Sequence, residues 1–103
     1  MRVGYFSTNT AEGISPGVLA RELEDRGFDS LWLPEHSHIP VERAPVPPFG
    51  ASVPDAYVHI MDPFVSLALA AANTSTLILA TGVSMVLEHD LLDFACRVGN
   101  QAQ

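Results

Sequence analysis

Lysine is absent from this sequence, and its five basic residues, all arginine, are set against twelve acidic ones. A formal charge of −7 excludes the basic stripe that phosphate backbones require, so nucleic acid is not an expected partner. The acid excess reads instead as a solvated surface. Cysteine occurs once, as Cys96, which rules out an intrachain disulfide and fits a reducing compartment. Within a helical pattern, Cys96 is expected as a small buried hydrophobe. No apolar run is long and charge-free enough to span a bilayer. The start, MRVGYFST, lacks the basic-then-apolar order of a secretory signal. The expectation is a soluble, cytoplasmic protein with no membrane partner. Several motifs are missing as well. Without G-x-G-x-x-G after a strand, G-x-x-x-x-G-K, G-x-S-x-G or H-E-x-x-H, a Rossmann site, a P-loop, a nucleophile elbow and a helical zinc site have no support.

What remains is 48% apolar, enough for a packed core, in a length that suits one domain, 1–103. Arg2–Ser7 mixes β-branched and aromatic residues and reads as a strand before the loop Asn9–Gly13. Ser15 then Pro16 is a helix start, a capping side chain followed by a residue whose missing N–H would be unpaired anyway. Leu19 and Leu23 share one face of that helix, and Gly27 supplies the left-handed residue that ends it. Phe28 is placed to pack back onto it. Ser30–Leu33 is a short apolar strand without alternation, as expected of one covered on both faces, and Pro34 ends it. The stretch 39–61 holds Pro40, Pro45, Pro47, Pro48 and Pro54 and shows no period. A loop of that length in a compact domain points to a lid or binding loop.

Asp62-Pro63 repeats the helix-start device. Phe64, Leu67, Ala68 and Ala71 follow at helical spacing, and Asn73 can end the helix. Leu77–Val86 reads as a third strand, interrupted near its end by Thr81-Gly82. Asp90 caps a third helix whose apolar positions are Leu91, Leu92, Ala95 and Val98, with Asp93 at capping-box spacing. The order β-α-β-loop-α-β-α implies an α/β fold with parallel strands and right-handed connections. Parallel strands end on one face. Ser7–Asn9, Glu35–His38 and Gly82–Ser84 therefore meet in space, and such a rim is where α/β proteins build sites.

At that rim His36 is the residue suited to move a proton, and Glu35 could orient it or hold a polar edge of a ligand. His36 and His38 would share a side of an extended chain while Glu35 would not. With His59 and His89 they could form a ligand set, but no metal spacing is present and no metal is expected. Gly82 inside an apolar strand marks a bulge, a bend, or a close approach of backbone to another group such as a flat ring.

Two stretches, GVLARELEDRGFDSLWLPEHSHIP and DPFVSLALAAANTSTLILATGVSMVLEHD, resemble the N-terminal part of the luciferase-like monooxygenase family. They look most similar to its branch of oxidoreductases using the deazaflavin coenzyme F420, with an FMN-dependent monooxygenase as the close alternative. The resemblance runs to about Ala95 and implies a TIM barrel, of which three βα units are present out of the eight that fill roughly 250 residues. It implies hydride transfer between a small organic substrate and the ring. Glu35, His36, Thr81, Gly82 and Val83 would bind the cofactor, His36 would act as acid or base, and Ser7 and Thr8 would line the substrate side. It further implies a non-prolyl cis peptide at Gly82-Val83. The ending RVGNQAQ departs from the family pattern. A chain truncated in this way is expected to be inactive alone, and a non-catalytic remnant associating with another chain, or a homo-oligomer, stands as the reading of another class.

Overall fold

The computed structural model describes residues 1–36 and 58–101. His38 and residues 39–57 of the proline-rich stretch, with the expected lid, lie outside the described residues. The element order is β1 (Gly4–Phe6), α1 (Pro16–Asp25), β2 (Ser30–Leu33), α2 (Pro63–Ala72), β3 (Ile78–Thr81) and α3 (Leu91–Gln101), with a 3-10 turn at Val86–Glu88. The three strands pair in the order β1-β2-β3 and are all parallel. This is the α/β arrangement the alternation predicts, the opening βα units of a barrel.

Local chemistry accounts for most boundaries. At the end of α1, Gly27 has φ of 83°, its N–H donates to Glu24, and Phe28 N–H donates to Leu23. That is the Schellman arrangement, which only a residue without a Cβ adopts cheaply. Phe28 then packs on the core and meets Tyr5 edge to face. Asp62 caps α2 by accepting from Val65 N–H at 3.0 Å. Asp90 does the same for α3, accepting from Leu92 and Asp93 N–H. Ser15 differs from expectation, since its side chain makes no cap bond and Pro16 alone sets the start of α1.

The core lies on one side of the sheet. Ala20 and Leu23 of α1, Leu67 and Ala70 of α2, Leu31 and Leu33 of β2, and Leu77 form one buried cluster. Each fully buried leucine contributes roughly 1.5–3 kcal/mol. The opposite face is open. Trp32 is 41% exposed, between two leucines that are fully buried, so β2 alternates and is not covered on both faces as its composition implied. Phe6 and Ile78, in register with Trp32 and Ser30, are exposed on the same open side. In a barrel that side is the interior.

Other expectations shift in the same way. The strands β1 and β3 are shorter than predicted, β3 stopping at Thr81 instead of reaching Val86. The buried face of α2 runs through Pro63, Phe64, Leu67 and Ala70, while Ala68 and Ala71 are exposed. Helix α3 has no buried residue, so Leu91, Leu92, Ala95, Val98 and Cys96 all face out. It is held by Phe94 against Phe64 and by Gln101 Nε2 donating to the Phe64 carbonyl. No helix among the described residues is long and apolar enough to cross a membrane.

One carboxylate ties the lower end of the sheet. Glu24, at the end of α1, accepts from the backbone N–H groups of Ser75, Thr76 and Leu77 at 2.7–3.0 Å and from the Thr76 hydroxyl. These donors, chiefly the backbone N–H groups of Thr76 and Leu77, lower its pKa from the ordinary 4.5 to about 2. A depressed carboxyl stabilises the fold above its unfolded pKa, and that contribution is lost as pH falls through the folded value. Glu24→Gln is therefore expected to lower the urea midpoint at pH 6, with the gap closing as pH approaches about 2. Equal midpoints at pH 6 would contradict the role given to Glu24.

Candidate active site

Parallel pairing carries the three strand ends to one rim. There the ladder continues past the strands themselves: Ser7 N–H donates to the Trp32 carbonyl at 3.1 Å, and Gly82 N–H to the Leu33 carbonyl at 2.8 Å. The rim segments expected from sequence thus lie side by side in the order Ser7-Thr8, Leu33-Pro34, Thr81-Gly82. The peptide Gly82-Val83 is cis. Gly82 faces the indole of Trp32, so that a Cβ there would lie 3.2 Å from Trp32 Cε3. A side chain there would press on the indole, which would have to shift by a few tenths of an ångström. Val83 is exposed, and Thr81 closes β3 in register with Leu33.

The loop after β1 is tied down by a residue that the sequence does not advertise. Asn9 has φ of 54° and is buried. Its side-chain amide donates to the Met61 carbonyl at 3.1 Å, and its own carbonyl accepts from Met61 N–H at 2.9 Å. Thr10 bridges Ile60, and Ala11 N–H reaches His59. The available signal was residue type, since asparagine tolerates the left-handed region better than other side-chain-bearing residues. Ser7 Oγ accepts from Asn9 N–H at 3.1 Å, while Thr8 is exposed.

Glu35 is placed differently from a simple rim carboxylate. It is 4% exposed, and its oxygens are engaged by Met85 N–H at 2.8 Å, the Ser84 hydroxyl at 3.1 Å and Nε2 of His89. The His89 ring sits between Phe94, at 5.0 Å between centroids, and the edge of Phe64. His89 entered the sequence reading only as a conceivable metal ligand, and Ser84 only as part of a converging tip. Their partnership with Glu35 spans about fifty residues and has no local signature. His36, half-buried, borders a cavity of about 410 Å³ together with Glu35, Asp62, Glu88, His89 and Arg97. His59 pairs with Glu12 at 3.3 Å on the surface. Among the described residues no group of three histidine, cysteine or acidic side chains is placed to hold a metal ion.

The rim therefore combines an apolar wall, made of Trp32 and the Gly82-Val83 backbone, with a carboxylate that holds the loop just beyond it; His36 borders the cavity next to that carboxylate. Removing the carboxylate leaves a half-buried hydroxyl, an N–H and an imidazole without their acceptor. Glu35→Ala is expected to cost about 2–4 kcal/mol in urea unfolding. A loss below about 1 kcal/mol, within the ordinary range for a surface change, would contradict the geometry.

The sequence model of one family, described as luciferase-like monooxygenase, matches residues 1–95. Curated relatives include a protein of Mycobacterium bovis and two of Mycobacterium tuberculosis strains, all titled as uncharacterized. Each is 42% identical over 98 residues, covering 92% of this chain and 35% of the relative. The chain thus spans about a third of the length of the curated relatives it matches. No solved structure matches.

Proposed function

Because the chain belongs to the luciferase-like monooxygenase family, we propose that its rim forms one side of the redox site of an oxidoreductase that uses the deazaflavin coenzyme F420, with FMN as the alternative ring. The observation that carries this reading is the convergence of three parallel strand ends beside an apolar wall with no side chain at Gly82. The described residues fit a planar group. Trp32 and Phe6 are exposed on the open face of the sheet, and the backbone of Gly82-Val83 gives a surface a ring can approach.

In this reading Thr81, Gly82 and Val83 back the ring from the β3 side, and Ser7 and Thr8 border the substrate. When bound, such a ring supplies or accepts a hydride at a small organic substrate. His36 holds or moves the accompanying proton at its imidazole nitrogen, a task to which an imidazole, able to donate at one nitrogen and accept at the other, is suited. Glu35 contributes by holding Ser84 and Met85 in place, since its oxygens already face those groups and His89. An apolar wall also excludes water from that side of the reacting atoms. Association with a further chain is part of this proposal, because the open face exposes Phe6, Trp32 and Ile78.

Trp32 is the single tryptophan and reports on its own face. Titrating the chain with F420 is expected to quench Trp32 emission saturably, and FMN to do so more weakly. A response to FMN alone would reverse the coenzyme assignment, and no response to either would contradict the reading for this chain. Where turnover is measurable, His36→Ala is expected to lower kcat by about 10²–10⁴-fold. Unchanged turnover would remove His36 from the chemistry.

A further inference from the structure

The wall after β3 is held at two points. Gly82 N–H is fixed to the Leu33 carbonyl at 2.8 Å, and Met85 N–H and the Ser84 hydroxyl are fixed to Glu35. Val83 lies between these anchors. The second anchor depends on a side chain with three rotatable single bonds between backbone and carboxylate, and holding one rotamer costs entropy that contacts to the head must offset. Burial restricts the stem of Glu35, but the carboxylate is aimed by what donates to it. A carboxylate can only accept, so His89 Nε2 must carry the hydrogen of their shared bond. His89 is in turn fixed, with a side chain 15% exposed, by Phe64 of α2 and Phe94 of α3.

We propose that His89 is a positioning residue: by donating from Nε2 to Glu35 it aims the carboxylate that grips Ser84 and Met85, and so sets the wall against which the ring would rest. The functional meaning of that wall rests on the redox-site reading above. The chain of contacts itself does not, and it links α2 and α3 to the rim through one imidazole. The charged groups bordering the same cavity are Asp62 from the start of α2, Glu88 from the turn before His89, Arg97 from α3, and His36.

Two substitutions separate aiming from filling. His89→Phe keeps a ring between Phe64 and Phe94 but donates nothing, and His89→Gln loses the ring but keeps an N–H near the position of Nε2. If His89 aims Glu35, amide hydrogen exchange at Met85 speeds up by about tenfold in the phenylalanine variant and stays close to wild type in the glutamine variant. Leu77, whose N–H is held by Glu24 at the other end of β3, serves as the control and should not change. With Leu77 protected, any other pattern overturns the proposal, the opposite pattern by showing that His89 only fills space. Should Leu77 lose protection as well, the variant has unfolded and the wild-type chain decides. Long-range proton–nitrogen spectra are expected to show His89 protonated at Nε2, and a tautomer protonated at Nδ1 alone would overturn the proposal. No coenzyme enters either measurement, so a negative result here is separable from failure of the coenzyme titration.

Discussion

Strand β3 is suspended between two glutamates, and the rim exists because both hold. Below the strand, Glu24 gathers the N–H groups of Ser75, Thr76 and Leu77; above it, Glu35 gathers Met85 N–H and the Ser84 hydroxyl. In each case a carboxylate from an earlier βα unit accepts backbone donors that the short parallel ladder leaves unpaired. Charge-assisted bonds of this kind are stronger than neutral ones, and unpaired donors at those positions would be costly. Leu31 and Leu33 supply the apolar attachment of the sheet to α1 and α2, but leucines are non-directional. Register and the direction of the loop beyond Thr81 are set by the polar contacts.

Much of this frame is readable in the residues. Two Pro-initiated helices, a glycine ending the first of them, and three short apolar runs give a βα alternation, and parallel strands then force Ser7, Glu35 and Gly82 to one side. What was not readable has a common cause. Ala68, Ala70 and Ala71 carry no periodic contrast, so the composition of α2 does not say which alanine faces the core. The run Leu31-Trp32-Leu33 has no polar residue to mark alternation, so the exposure of Trp32 was hidden. Asn9, Ser84 and His89 act through partners about fifty residues away, and separation of that order leaves no local pattern. Cys96 reads as buried, and the apolar positions of α3 as one face, because periodicity alone cannot distinguish a face that is packed from one that is open.

The arrangement separates two jobs that sequence proximity had merged. Glu35 and His36 are adjacent, but Glu35 is buried and engaged by Ser84, Met85 and His89, whereas His36 is half-buried at the edge of the cavity they share. Both border the same cavity, which puts a positioning group and a candidate proton carrier within one step of the chain. Phe64 adds a further economy: it belongs to the α2 face that meets the core, contacts Phe94 and His89, and lends its carbonyl to Gln101. One aromatic residue thus connects the core, the last helix and the histidine behind the rim.

The central claim is that the three parallel strand ends form one surface that accepts a planar redox ring. Backbone amide spectra recorded while F420 is added to the chain test it most directly. The account predicts shift changes concentrated at Ser7, Thr8, Trp32 to His36, and Thr81 to Met85, with Asp29 and the residues gathered by Glu24 unchanged. Changes centred on the Glu24 end of the sheet, or spread without preference for the rim, would contradict it.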